Sequence, residues 1–131
     1  MDIITHLKID QTLCGHPLAV GGGKSRVELT TTPAMAVDDS GLVHGGFIFS
    51  LADYAAMIAV NDPNVVLGAA DVKFLKPVKV GETVRADATV EEVQGKKHWV
   101  SVCVENDAGT CFQGMLTCFV LDRHVLDPRE A

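Results

Sequence analysis

Aromatic residues are scarce in this chain: one Trp, one Tyr and five Phe make up 5% of 131 residues. A core must therefore be built mainly from Val, Ala, Leu and Ile. Hydrophobic residues still reach 47% against 21% charged, a balance that excludes a disordered chain. Long uncharged runs are missing as well. The longest, the 14 residues from Ala108 to Leu121, contains Thr110, Gln113, Gly114 and Thr117 and falls short of the roughly 18 that a membrane span needs. Asp2, His6, Lys8 and Asp10 interrupt the amino-terminal segment, leaving no apolar stretch for a signal peptide. The expectation is a cytoplasmic protein with no membrane partner. Bases are in deficit, 11 against 17 acids for a net charge of −6, which argues against a nucleic-acid partner. The four cysteines, at 14, 103, 111 and 118, form neither a CxxC nor a Cys/His metal spacing. Free thiols are expected, buried in the apolar, β-patterned surroundings of Cys103, Cys111 and Cys118, with no metal and no cofactor.

The length suits one domain spanning residues 1–131. Residues 2–13 carry a weak helical pattern in Ile3, Ile4, Leu7 and Leu13, and residues 18–32 read as extended with a bend at Gly21-Gly22-Gly23. Residues 33–43, rich in Pro, Asp, Ser and Gly, read as a loop. The one long helix falls at 45–60, GGFIFSLADYAAMIAV, and is stopped by Asn61-Asp62-Pro63-Asn64. After it, Val84, Ala86, Ala88 and Val90 alternate with Arg85, Asp87 and Thr89, the period of a strand with one buried face. Short turns at 94–97 and 106–109 link this strand to two more, so an antiparallel meander of about four strands is expected after the helix. The fold class is α+β, with the sheet wrapped around the helix.

That helix is apolar on nearly every side. Between Phe47 and Val60 its strongly polar side chains are Ser50 and Asp53, and Gly46, Ser50, Asp53 and Met57 fall on one stripe. An ionised carboxylate in such surroundings costs several kcal/mol unless it is paired or faces a wet cleft. It could join a subunit interface. Its raised pKa would also suit a general base near neutral pH.

His44-Gly45-Gly46 opens the helix, where accessible backbone N–H groups and the positive end of the helix dipole could polarise a carbonyl oxygen. Nine residues separate His44 from Asp53, about 13 Å at 1.5 Å per residue. One small reacting group cannot touch both in one chain. A two-fold dimer with antiparallel helices could bring one copy's helix start beside the other copy's Asp53.

The run GLVHGGFIFSLADYAA (41–56), with its His44-Gly45-Gly46 and Asp53, resembles the signature of hotdog-fold acyl-CoA thioesterases, most of all the phenylacetyl-CoA thioesterase type. Asp71-Val72-Lys73-Phe74-Leu75-Lys76-Pro77 and Val80-Gly81-Glu82 are similar to that family's segment after the helix, and the likeness extends over roughly residues 15–122. The resemblance implies a hotdog fold, an acyl-CoA substrate, and a homodimer or a tetramer built as a dimer of dimers. By the same likeness Asp53 is the carboxylate that activates water or attacks the thioester. Gly45 is the residue whose N–H polarises the carbonyl, and His44 is a neighbour that contacts the substrate. Gly46, Ser50 and Met57 are candidate substrate-binding positions, and Phe47, Phe49 and Tyr54 could also line an acyl pocket or simply fill the core.

Asp38 stands where the family usually has Asn or Gln. An ionised Asp cannot donate the hydrogen bond an amide supplies, although a second carboxylate nearby could raise the pKa of Asp53. Asp38 is therefore a further candidate binding residue. The alternative reading is a non-catalytic acyl-CoA-binding hotdog domain of the kind found in fatty-acid regulators, which carry an amide at the position of Asp53. A hotdog hydratase would need a close Asp/His pair that this sequence does not offer. Six of the 11 bases (Lys73, Lys76, Lys79, Arg85, Lys96 and Lys97) lie between 73 and 97, and at least one is expected to meet the coenzyme A phosphates.

Overall fold

A computed structural model describes residues 1–128. The elements run α1 (Gln11–Cys14), β1 (His16–Gly21), β2 (Lys24–Thr30), α2 (Gly45–Val60), β3 (Val65–Phe74), β4 (Thr83–Gln94), β5 (Lys97–Asn106) and β6 (Gly109–Val120), with one 3₁₀ turn at Pro33–Met35. The six strands form one antiparallel sheet in the order β1-β2-β4-β5-β6-β3. The sheet curls around α2, the hotdog arrangement that the resemblance implied.

The helix has the expected bounds. It ends where Asn61 takes the left-handed conformation (φ 54°, ψ 53°), donates to the Met57 carbonyl and is followed by Pro63. The Asn61 side chain also holds the amino-terminal segment, accepting from Ile4 N–H (2.9 Å) and donating to the Asp2 carbonyl (2.8 Å). Small residues let helix and sheet approach closely. Ala52, Ala55 and Ala56 face a sheet surface that includes Ala86 and Ala88, with Val27, Leu29, Val84, Val100, Val102, Val104, Phe112 and Leu116 filling in around them. Each fully buried Val, Leu or Phe contributes roughly 1.5–3 kcal/mol, so a core poor in aromatics is still adequate. A buried hydroxyl ties the layers together: Ser25 Oγ donates to the Ala55 carbonyl at 2.6 Å.

Three expectations change. The helical pattern over 2–13 yields only the single turn of α1, capped by Asp10, because His6 (φ 56°) breaks the backbone ahead of it. The bend in 18–32 is a hairpin, with Gly22 and Gly23 both at positive φ between β1 and β2, as a tight two-residue turn requires. The strands after the helix are not a simple meander. β4, β5 and β6 follow one another, but β3 crosses over to pair with β6, from Val65 opposite Val120 to Phe74 opposite Phe112. Among the described residues no helix is long and apolar enough to cross a membrane. Cys14, Cys103, Cys111 and Cys118 are free; Cys103 is only half-buried, on the outer side of the sheet, rather than in the core.

Candidate active site

The start of α2 is held from both sides. Val43 N–H donates to the Val78 carbonyl and His44 N–H to the Met35 carbonyl, each at 2.9 Å, while Ala36 bridges Val43 and Leu42 bridges Lys79. Four amides lead the helix in, and three are used. His44 N–H goes to Met35, Gly46 N–H to His44 Nδ1 (2.7 Å) and Phe47 N–H to the His44 carbonyl (3.0 Å). Among the described residues the Gly45 N–H has no such partner, and it sits at the positive end of the helix dipole.

Gly45 lines a cleft of about 280 Å³ whose walls include Val43, Ile48, Phe74, Pro77 and Val78, with Lys76 alongside. Phe74 reaches it from the end of β3. Its ring packs edge-on against the buried Phe112 (centroids 5.1 Å apart), which in turn meets Phe49 at 6.3 Å. Sequence reasoning gave Phe74 no role in the site, since nothing in its local pattern points to a glycine 29 positions earlier.

Asp53 lies two turns along α2. Its Oδ1 is buried without a hydrogen-bond partner among the described residues, and burial raises its pKa from 3.8 to about 6. Asp38 contributes nothing to that shift, contrary to the possibility that the sequence raised. Asp38 is exposed in the loop before α2, where its Oδ1 accepts from Ser40 N–H at 2.9 Å. Two thiols that the sequence did not connect to Asp53 feel its charge: Cys14 in α1 and Cys118 in β6, the latter pushed up to about 12, chiefly by burial.

The stripe of candidate residues descends from surface to core. Gly46 is exposed, Ser50 and Asp53 are half-buried, and Met57 is 1% exposed. The Ser50 hydroxyl donates back to the Gly46 carbonyl at 2.9 Å, and Met57 packs wholly within the core cluster. Phe47 and Phe49 are half-buried beside that cluster, whereas Tyr54 belongs to it. The bases also separate. Arg85 faces Glu28 (3.7 Å), Lys96 pairs with Asp122 (3.1 Å), and Lys97 lies over the Trp99 and Phe119 rings. Lys76 is the base beside the Gly45 cleft, its Nζ 3.2 Å from the Ala108 carbonyl.

Comparison with known proteins places this geometry in a family. Residues 40–112 match the family model described as the thioesterase superfamily. The crystal structure of PH1136 from Pyrococcus horikoshii superposes with a TM-score of 0.95 at 49% identity, covering 97% of this chain and 98% of that one. The PaaI protein of the phenylacetic acid degradation operon of E. coli superposes with a TM-score of 0.77 at 25% identity, over 85% of this chain and 82% of that one. A protein of Aquifex aeolicus named methylthioribose-1-phosphate isomerase is 54% identical over 123 residues, which are 93% of this chain and 27% of that protein. The chain spans about a quarter to a half of the length of the curated relatives it matches. The family match covers more than half of the chain, including the whole of α2 with His44, Gly45 and Asp53, and the chain belongs to the thioesterase superfamily.

Proposed function

We propose that this protein is an acyl-CoA thioesterase acting on a small aryl or short- to medium-chain acyl group. The observation that carries the proposal is Asp53: a buried carboxylate oxygen without a partner, with a pKa raised to about 6. No packing role needs a carboxylate there, whereas hydrolysis near neutral pH needs a base or nucleophile of this kind. Membership of the thioesterase superfamily and the likeness to a phenylacetic acid degradation protein support the same chemistry.

In this mechanism the thioester carbonyl lies in the Gly45 cleft and its oxygen accepts the Gly45 N–H. Asp53 either takes a proton from the attacking water or attacks the carbonyl carbon itself, and water then opens the resulting anhydride. Both routes place negative charge on the carbonyl oxygen, where the amide and the helix dipole stabilise it, and both expel coenzyme A as its thiolate.

About 12 Å of helix separates Gly45 from Asp53, too far for one small reacting group to touch both in one chain, which supports a working unit of at least a dimer. β3 supports this. It is an edge strand ten residues long whose Gly68, Ala69, Ala70 and Asp71 are all exposed, and it ends at Phe74 beside Gly45. An unpaired edge of that length is a template for a second copy of itself.

The test is a panel of acyl-CoA esters scored by release of free thiol, run with the wild type and Asp53→Asn. Turnover of at least one ester, reduced by two to four orders of magnitude in a folded Asp53→Asn variant, is the expected result. Unchanged turnover in that variant removes Asp53 from the chemistry. Binding without turnover returns the protein to the acyl-CoA-binding alternative.

A further inference from the structure

The resemblance casts His44 as a residue that touches substrate, but its ring is already engaged. Gly46 N–H donates to Nδ1, so Nδ1 is the unprotonated nitrogen and the ring proton is on Nε2. The ring lies over Gly46 so closely that a Cβ there would sit 2.8 Å from both Nδ1 and Cε1. Phe47 meets the ring edge-on at 6.1 Å, and the His44 backbone is fixed at both N–H and carbonyl.

We propose that His44 is a positioning residue: by capping α2 through Nδ1 it withdraws the Gly46 amide and leaves the Gly45 amide as the one unused backbone donor of the helix start, beside the cleft. The proposal rests on the thioesterase reading above. With the amides of His44, Gly46 and Phe47 used, a carbonyl oxygen at the helix start meets one backbone donor in one fixed direction. The nature of the cap matters too. Asp would cap the helix at least as well as His, but would place a negative charge next to the oxygen that becomes negative in the reaction. A neutral imidazole holds the amide without opposing that charge.

The experiment compares His44→Asn, His44→Asp and His44→Ala for thermal stability, kcat and KM, together with the ¹⁵N shifts of the His44 ring in the unmodified protein. Asn and Asp both supply a capping oxygen and should be more stable than Ala. If His44 positions the amide, kcat falls about 10- to 100-fold in Ala, recovers at least several-fold in Asn, and is lowest in Asp despite its stability, with KM little changed. Activity that simply follows stability, with Asp equal to Asn, reduces His44 to a structural cap and overturns the proposal. So does an Asn variant no better than Ala, which would mean that the ring itself contacts substrate. The ring shifts give a readout independent of activity: Nδ1 should be unprotonated and Nε2 protonated. A proton on Nδ1 overturns this proposal and leaves the thioesterase reading intact, whereas an unmodified protein that hydrolyses no ester overturns both.

Discussion

The ring of Phe74 lies so near Gly45 that a Cβ on residue 45 would come within 3.3 Å of its Cε2. An apolar wall and an unpartnered amide are thereby set side by side at the mouth of one cleft, although one closes an edge strand and the other opens the helix. Such a place suits a thioester, whose carbonyl needs a donor and whose flanking carbons need apolar cover.

The amide can be deleted with little damage to the fold. Gly45 is the first helical residue, the position where proline is best tolerated, and His44 already has the extended conformation (φ −60°, ψ 130°) that a following proline demands. With the Phe74 ring yielding a few tenths of an ångström to the new Cβ, Gly45→Pro should keep its circular dichroism and lose roughly 10²- to 10³-fold in kcat. Full activity in the folded variant would mean that another donor binds the carbonyl.

Shared sites make a quantitative prediction about mixtures. If Gly45 and Asp53 act from different copies, a hybrid dimer of Gly45→Pro and Asp53→Asn subunits has one intact site and one doubly mutated site. Equal parts of the two inactive variants, after subunit exchange, should recover about a quarter of wild-type activity. Proven exchange without recovery would place both groups of each site in one chain.

Asp53 also links stability to pH. Its folded pKa of about 6 exceeds its unfolded 3.8, so between those values the folded state holds more protons than the unfolded state. Stability therefore falls as pH rises from about 4 to about 6 and is flat above, by about 2 to 3 kcal/mol in all. Asparagine cannot ionise. The stability of Asp53→Asn relative to wild type, measured by urea unfolding, should grow across that window, while wild-type kcat/KM rises through an apparent pKa near 6.

Lys76 is singled out among the clustered bases by its place at the cleft. Exposed ion pairs contribute only about 0 to 1 kcal/mol, so Lys76→Ala should raise KM several-fold and leave kcat intact. The effect should appear with a coenzyme A ester and vanish with the same acyl group on N-acetylcysteamine, which lacks the phosphates. It should also shrink as salt rises. Lys97→Ala, on the outer side of the sheet, serves as the contrast. Equal losses on both esters would place the nucleotide elsewhere.

The sequence discloses what local patterns encode. Alternation from Val84 to Val90 predicted a strand with one buried face, and the Ala-rich run stopped by Asn61 and Pro63 predicted a helix from Gly45 to Val60. Because that helix is apolar all round, its pattern could not distinguish Met57, sunk in the core, from Ser50 nearer the surface. Nor could it reveal that His44 caps the helix, a task usually done by Ser, Thr, Asp or Asn. The contact between Phe74 and Gly45, and the electrostatic influence of Asp53 on Cys14 and Cys118, join distant parts of the chain and leave no trace in any local period.

The crossover of β3 has a consequence for the growing chain. β3 is complete at Phe74, but the strand it pairs with begins only at Gly109. At roughly 5 to 20 residues per second, a ribosome needs about 2 to 7 s to supply the intervening residues. At its start the alanine-rich helix still lacks β4, β5 and β6, and throughout it β3 has both edges open. The sheet can therefore close only once β6 is made, and until then β3 is an open edge that favours association with other chains.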